Sequence, residues 1–350
     1  MNASVSAPVR VAAVGCGYWG PNVIRNLDAV PGFELCWVCD VDPRRLRPVA
    51  ARYPTARSTI DIEDIFGDPA VDAVYLSTPV STHYTLVKRA LDSGKHVLVE
   101  KPLATTVDEA EDMARLAAAY GRTLMVGHTF VFSPPVRKVK ELIDAGLVGQ
   151  IYYVETTRVN LGLFQKDVSV LWDLGPHDVS ILNYWLGEVP VQVSARGRSF
   201  HDEALEDVAF LTLEFPSGIL AQVQLSWLAP SKLRRTSIVG RQRMVVYDDL
   251  EPVEKIKVYD RGIDRQPASF GEFQLTYRSG DILSPHLDTI EPLYTECAHF
   301  LECILTGRAP DTSPRTAVDV VRVLQAAERS LRLDGAPQLV YDVAAIERTP

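Results

Sequence analysis

The sequence predicts an α/β protein of two domains: a parallel sheet layered with helices, then an α+β region built on a large open, mostly antiparallel sheet. Three observations predict it. Short apolar strands alternate with helical segments through residue 127, the βαβ rhythm of a parallel sheet. The first strand runs into a glycine string, Gly15-Cys16-Gly17-Tyr18-Trp19-Gly20, that opens the first helix. From residue 150 the strands lengthen and hairpin signals join them. At roughly 150 residues per domain, 350 residues make about two domains. The division is drawn as 1–127 and 128–350.

VRVAAVG (9–15) is a short strand rich in valine and alanine that stops at glycine. Helical spacing follows through Val23, Leu27 and Val30. FELCWVCD (33–40) is a second strand, Asp61 to Phe66 a short helix, and VDAVYLST (71–78) a third strand. Ser81 is placed to cap a helix that runs to Gly94. HVLVE (96–100) is the fourth strand. Thr106 and Glu109 form a capping box for a helix ending near Gly121, and TLMVG (123–127) is the fifth strand. Ser133 with Pro134 starts a helix ending at Gly146, and QIYYVETTR (150–158) is a long strand. A helix follows around 173–186. VAFLTLEF and ILAQVQLSW flank Pro216-Ser217-Gly218, and TSIVG and MVVYDD flank Gly240-Arg241, both hairpin signals. Long strands continue to about residue 260. Two helices close the chain near 290–307 and 314–333. The first carries Leu293, Cys297, Phe300, Leu301 and Ile304 on one face.

Composition narrows the function classes. With 36 Lys and Arg against 45 Asp and Glu, the net charge is −9. A nucleic-acid binder needs a basic footprint to replace phosphate counterions, so that class is disfavoured. No apolar run approaches the ~20 residues of a membrane helix, and MNASVSAPVR lacks the apolar core of an export signal. Five scattered cysteines (Cys16, Cys36, Cys39, Cys297, Cys303) suit a reducing cytoplasm rather than a disulfide framework. Cys36 and Cys39 form a C-x-x-C string inside a strand. Residues three apart in a strand point to opposite faces, so buried thiols are the better reading.

The glycine string fits G-x-G-x-x-G in the context its mechanism requires, after a strand and before a helix. Gly15 permits the tight turn, Gly17 lets a pyrophosphate approach the backbone, and Gly20 lets helix and strand pack closely. The helix N-terminus offers free N–H groups to phosphates. Tyr18 and Trp19 lie inside this loop. Asp40 ends the second strand, where an acid binds the adenosine ribose hydroxyls. A carboxylate there repels a 2′-phosphate, so NAD is favoured over NADP. Asp42 can share the role, and the nearby Arg44 and Arg45 keep NADP possible. Thr78-Pro79 and Glu100-Lys101-Pro102 end the third and fourth strands, on the ligand edge of a parallel sheet. Lys101 follows the apolar strand HVLV, which is unlike the usual surface lysine. A cation there can stabilise an alkoxide as hydride leaves. Asp173 and His177 stand four apart, on one face of a helix. The imidazole can take a hydroxyl proton. Asp173 reads either as a substrate ligand or as a helix N-cap, because Pro176 sits comfortably only in a first turn.

Together GCGYWG, Asp40, STP, EKPLA, VGHTF and WDLGPHD resemble the glucose-fructose oxidoreductase/inositol dehydrogenase/rhizopine catabolism (Gfo/Idh/MocA) family over nearly the whole chain. The resemblance implies a Rossmann domain, a second α/β domain, and hydride transfer between NAD(P) and a secondary alcohol of a sugar or cyclitol. It implies a catalytic lysine at Lys101 and an aspartate and histidine at Asp173 and His177. It also implies cofactor contacts at Gly15, Gly17, Tyr18, Trp19, Gly20, Asp40, Thr78, Pro79, His83, Glu100 and Lys101. Two departures stand out. Asp167 to Trp172 replaces the glycine cluster many members carry, and Ser180 stands where many have an acid, with Asp178 directly after the histidine. GYWGPN and WDLGPHD are similar to the nucleotide-sugar 3-dehydrogenase branch.

The remaining candidates carry less weight. His128 lies just beyond the fifth strand, as a substrate contact or a buried structural histidine. Arg158, Asn160 and Lys166 precede the catalytic helix and can hold a substrate phosphate or carboxylate. His83, His96, His201, His286 and His299 show no metal-ligand spacing, and hydride transfer needs no metal. Val208, Phe210, Val223 and Leu225 suggest an apolar sheet face that a second copy covers, giving a homodimer or homotetramer.

Overall fold

The computed structural model describes residues 7–162, 168–201, 205–267 and 273–341. The chain forms two compact units: residues 1–132 with 290–321, and residues 133–289 with 322–350.

The first unit is built from β1 (Val9–Val14), α1 (Gly20–Ala29), β2 (Phe33–Cys39), α2 (Pro43–Arg52), β3 (Arg57–Thr59), α3 (Glu63–Phe66), β4 (Ala73–Leu76), α4 (Val80–Asp92), β5 (His96–Glu100), α5 (Val107–Ala119) and β6 (Leu124–Gly127). Its sheet order is β3-β2-β1-β4-β5-β6, parallel throughout. Helices on both faces leave the central strands dry, which is why they read as unbroken apolar runs: every residue of β4 is fully buried. The strand order reverses between β1 and β4. In open parallel sheets the ligand crevice lies there, beyond the carboxyl ends of the strands.

Four details differ from the sequence reading, the first being the added edge strand β3, three residues long. The α2 helix is additional; two prolines and four arginines obscure an apolar stripe of only Leu46 and Val49. The α4 helix starts at Val80 with Pro79 as its N-cap, so Ser81 lies in the first turn and caps nothing. Thr82 closes that turn, its backbone N–H at 2.9 Å and its hydroxyl at 2.7 Å from the Pro79 carbonyl. And α8 (Pro292–Thr306) belongs to the first unit, which a single cut at 127/128 leaves out. Its apolar face packs on α1 and on the 3-10 turn Thr129–Phe132, and Arg25 of α1 pairs with Glu291 at 2.6 Å.

The second unit holds α6 (Pro134–Asp144), β7 (Ile151–Leu161), α7 (Val170–Leu186), β8 (Gln192–Arg198), β9 (Val208–Glu214), β10 (Leu220–Ser226), β11 (Leu228–Gly240), β12 (Met244–Asp248), β13 (Ile256–Pro267), β14 (Phe273–Leu283) and β15 (Gln338–Leu339). The boundary between the units falls inside α9 (Pro314–Arg332). The sheet order is β14-β13-β12-β11-β7-β10-β9-β8-β15, antiparallel except for the β7–β10 pair. Both expected hairpins are present, Glu214 opposite Leu220 and Val239 opposite Met244. The strands extend past residue 260 into the β13–β14 hairpin. Its sequence YDRGIDRQ carries no apolar alternation to reveal it. One face of the sheet is covered by α7, which packs on β7, β9 and β10. This corrects the expected docking face: Val223 and Leu225 are fully buried, whereas Phe210 is 47% exposed on the opposite face. The period of two along a strand separates them.

Candidate active site

Each glycine of the first loop has a distinct constraint. Gly15 adopts φ +99, and a Cβ there would stand 2.5 Å from the Ser77 carbonyl oxygen. At Gly20 a Cβ would stand 2.0 Å from the Gly15 oxygen. The chain itself therefore requires both. At Gly17 a Cβ would meet only the Arg45 guanidinium, at 3.9 Å. Among the described residues nothing explains a glycine there, and that opening at the N-terminus of α1 fits a pyrophosphate. Tyr18 is 86% exposed at the loop tip, and Trp19 is partly exposed.

Asp40 is buried and does more than end a strand. Its carboxylate accepts the N–H of Cys16 at 2.7 Å and that of Asp42 at 2.8 Å, lashing the glycine loop to β2. A carboxylate has lone pairs beyond those two bonds, enough for a ribose hydroxyl. Asp42 caps α2 and takes both the backbone N–H and the guanidinium of Arg44. Those bonds hold Asp42 down at about 2. Arg44 is thus engaged, while Arg45 leans over Gly17. Burial and the nearby Asp40 push the Cys16 thiol up to about 12, so it is an inert packing group.

At the strand ends, Thr78 shares a hydrogen bond with Thr82 at 2.7 Å. His83 is not a ligand-facing group, contrary to expectation. It is 1% exposed, with Nδ1 2.9 Å from the Pro102 carbonyl and Nε2 2.9 Å from the Thr78 carbonyl. Both ring nitrogens are occupied in strapping the two strand-end turns together, and burial lowers its pKa. Lys101 is half-buried at the end of β5, and its peptide bond to Pro102 is cis. Glu100 beside it accepts from the Tyr75 hydroxyl and the Trp19 indole, each at 2.9 Å. Burial pushes its carboxyl up to about 7, against the opposing pull of Tyr75, Lys101 and Trp19. His128 is 2% exposed, and neither ring nitrogen has a hydrogen-bond partner among the described residues. Burial and the Lys101 charge push it down to about 3, so it is a neutral imidazole beside the lysine.

In the second unit α7 begins at Val170, not near 173, and carries Pro176 inside it. The Asp173 N–H bonds to the Ser169 carbonyl at 3.0 Å, so Asp173 is one turn into the helix and does not cap it. Its Oδ2 instead accepts the Trp227 indole N–H at 3.2 Å. His177 follows one turn later and is half-buried. The missing side chain of Gly175 lets Leu324 approach, since a Cβ would stand 2.9 Å from its Cδ2.

Arg158 is not placed as an anion ligand. It is 4% exposed and bound to Asp178, with Nε 2.6 Å from Oδ2 and Nη2 3.3 Å from Oδ1. Thr156 donates to the same carboxylate at 2.9 Å. The β7 register turns Arg158 to the helix-covered face, where Asp178 neutralises it. Asn160, two residues on, is half-exposed, and Lys166 lies outside the described residues.

Sequence reasoning missed three contributors. Trp227 holds Asp173, Tyr75 holds Glu100, and Glu296 of α8 is sealed at 1% exposure with Oε2 accepting from Thr129 at 3.0 Å. A signal for Glu296 was present: it is an acid on the apolar face, three residues after Leu293 and four before Phe300.

A doubly wound sheet, a loop opened at Gly17 and an acid at the end of β2 define a dinucleotide-binding protein. Comparison with known proteins agrees. Residues 9–128 match the oxidoreductase family with NAD-binding Rossmann fold, and residues 136–246 match the GFO/IDH/MocA C-terminal domain, together about two thirds of the chain. The chain belongs to the Gfo/Idh/MocA family. It is similar to scyllo-inositol 2-dehydrogenase (NAD(+)) of Bacillus subtilis (strain 168), 29% identical over 94% of this chain and 95% of that one. Among solved structures it resembles GenD2 from gentamicin A biosynthesis in complex with NAD, at 27% identity and a TM-score of 0.82, covering 98% and 99% of the two chains. It also resembles aldose-aldose oxidoreductase from Caulobacter crescentus, at 25% identity and a TM-score of 0.81, covering 95% and 99%. Among the described residues no helix is long and apolar enough to cross a membrane.

Proposed function

We propose that this enzyme oxidises a secondary hydroxyl of a sugar carried on a nucleotide, at C3, or reduces the corresponding ketone. The observation that carries the reading is the pairing of types: a half-buried lysine at the carboxyl end of β5, and an aspartate and histidine one turn apart on α7. The bound nicotinamide supplies the hydride acceptor. His177 takes the hydroxyl proton, a task suited to imidazole near neutrality. Lys101 stabilises the alkoxide charge that develops as the C–H bond breaks. Asp173 orients the substrate and is itself aligned by Trp227. In the reverse direction His177 or Lys101 returns the proton to the carbonyl oxygen. Residues 1–132 with 290–321 serve the cofactor, and residues 133–289 with 322–350 serve the substrate and assembly.

The nucleotide-sugar assignment is supported by the likeness of GYWGPN and WDLGPHD to that branch. A second reading, an inositol or cyclitol dehydrogenase, is favoured by the near full-length likeness to the Bacillus enzyme. Self-association uses the uncovered face of the large sheet, where Tyr153, Phe210 and Leu220 are each almost half exposed. Five buried free thiols support a reducing, cytoplasmic setting. The test is spectrophotometric: NAD or NADP with a panel of nucleotide sugars, sugar phosphates and inositols. Reduction of NAD with a UDP-sugar above all others supports the first reading. A preference for inositols replaces it with the second.

A further inference from the structure

Two carboxyl groups in the first unit lie against the segment that ends β6, the Glu100 carboxylate 3.0–3.2 Å from where a Cβ on Gly127 would stand and Glu296 on the Thr129 hydroxyl two residues on, and the hydride-transfer roles above use neither. Glu100 ends β5 with a solvent-facing edge; Glu296 comes from α8 and has none. Their surroundings are unequal. Glu100 receives two donors, the Tyr75 hydroxyl and the Trp19 indole, and its neighbour Lys101 is a cation. Glu296 receives one, the Thr129 hydroxyl, and its Oε1 has no hydrogen-bond partner among the described residues.

We propose that these two carboxyl groups carry one charge between them, Glu296 keeping its proton while Glu100 titrates, and that ionised Glu100 makes the site favour oxidised over reduced nicotinamide. The inference rests on the dinucleotide reading above. Two buried carboxylates close together cannot both ionise without cost, and the charge settles on the one with more donors. That is Glu100. Glu296 is left as a neutral acid, its pKa raised far above the usual range first by burial and then by the Glu100 charge.

Among the described residues the other groups facing the pair do not supply a second cation. From β4 comes Tyr75, raised by burial and Glu100. From the end of β6 and its following turn come His128, held neutral, and Thr129. Next along α8 is Cys297, raised by burial and then by Glu296 and Glu100. Glu291 at the start of α8 is already matched by Arg25 of α1. Lys101 is the cation of the group. The oxidised nicotinamide ring is positive and the reduced ring neutral, so an ionised carboxylate at the ligand edge attracts only the former. Reduction of the ring removes the attraction and lets Glu100 regain a proton from solvent.

Calorimetry of NAD+ and NADH binding, in two buffers of different ionisation enthalpy, tests this without turnover. Glu100 titrates at about 7. If only its ionised form binds NAD+ tightly, affinity rises about tenfold between about pH 6 and pH 8, with proton release. NADH affinity changes by less than about twofold over the same range. Glu100→Gln flattens the NAD+ profile, and Glu296→Gln keeps its midpoint. A second readout needs no ligand. The Trp19 fluorescence, taken as wild type minus Trp19→Phe, shows a transition with the same midpoint, because its indole N–H bonds to Glu100. A profile that survives Glu100→Gln, or is lost in Glu296→Gln, overturns the assignment. So does a flat NAD+ profile together with a flat fluorescence titration. If neither cofactor binds at any pH, the dinucleotide reading itself fails, and this proposal with it.

Discussion

Asp178 in the second unit and Glu296 in the first are both sealed from water, at 3% and 1% exposure, yet their surroundings are opposite. Asp178 meets the Arg158 guanidinium and the Thr156 hydroxyl, so its charge is matched inside the protein. Glu296 meets one hydroxyl, and the Glu100 charge opposes its ionisation. A matched charge is a fixed part of the fold. The proton on Glu296 leaves the charge of the pair to Glu100, and that charge is conditional: it grows when pH rises or when a cation arrives. The difference separates a structural polar cluster from one that a cationic ligand can switch.

Breaking the matched pair has the largest expected effect on stability. Arg158→Met strands a buried carboxylate and should cost about 3–5 kcal/mol. Removing both charges, with Arg158→Met and Asp178→Leu together, should recover most of that. Urea unfolding measures both, and equal losses in the single and double variants would contradict the ion-pair account. Next is Gly20→Ala, where a Cβ would press on a backbone oxygen at 2.0 Å; forced overpacking costs about 1–3 kcal/mol or more.

The carboxyl pair predicts a signed effect that grows with pH. Glu296 is neutral when folded and ionised when unfolded above its ordinary value of 4.5. Its folded pKa is raised, so its contribution is fully present below that value and is lost as pH climbs. The slope approaches ~1.4 kcal/mol per pH unit for one proton. Glu296→Gln should therefore raise Tm at about pH 8 but not at about pH 4.5. Parallel Tm curves for the two proteins would contradict the proton on Glu296. Gly17→Ala is the mildest for the fold, within about 0.5 kcal/mol, because its Cβ enters open space. It should nevertheless weaken NAD+ binding. Unchanged affinity would remove Gly17 from the phosphate site.

The sequence was most legible where structure is local. The strand, glycine loop and helix of residues 9–29 form one continuous unit, and the hairpins at 216–218 and 240–241 announce themselves by turn residues. The α2 helix was hidden because its buried stripe is two residues wide, and the β13–β14 hairpin because its strands are polar. The site was legible as residue types and less so as partnerships. Asp40 was visible as a strand-end acid, but not as the group that ties Cys16 and Asp42 in place. Arg158 looked free to bind an anion because Asp178 is brought to it only by the packing of α7 on β7. His83 was read as facing the cofactor because spacing along α4 says nothing about the two carbonyls that occupy it. Glu296 reaches Thr129, two residues beyond the Gly127 that faces Glu100, only through the packing of α8, far along the chain.

The most direct test of the central claim is single-turnover NADH formation by wild type, Lys101→Ala and His177→Ala on the best substrate of the panel. Loss of charge stabilisation or of the proton acceptor should each slow that step by ~10²–10⁴-fold, with Tm preserved. Near wild-type rates in either folded variant would contradict the roles assigned to Lys101 and His177.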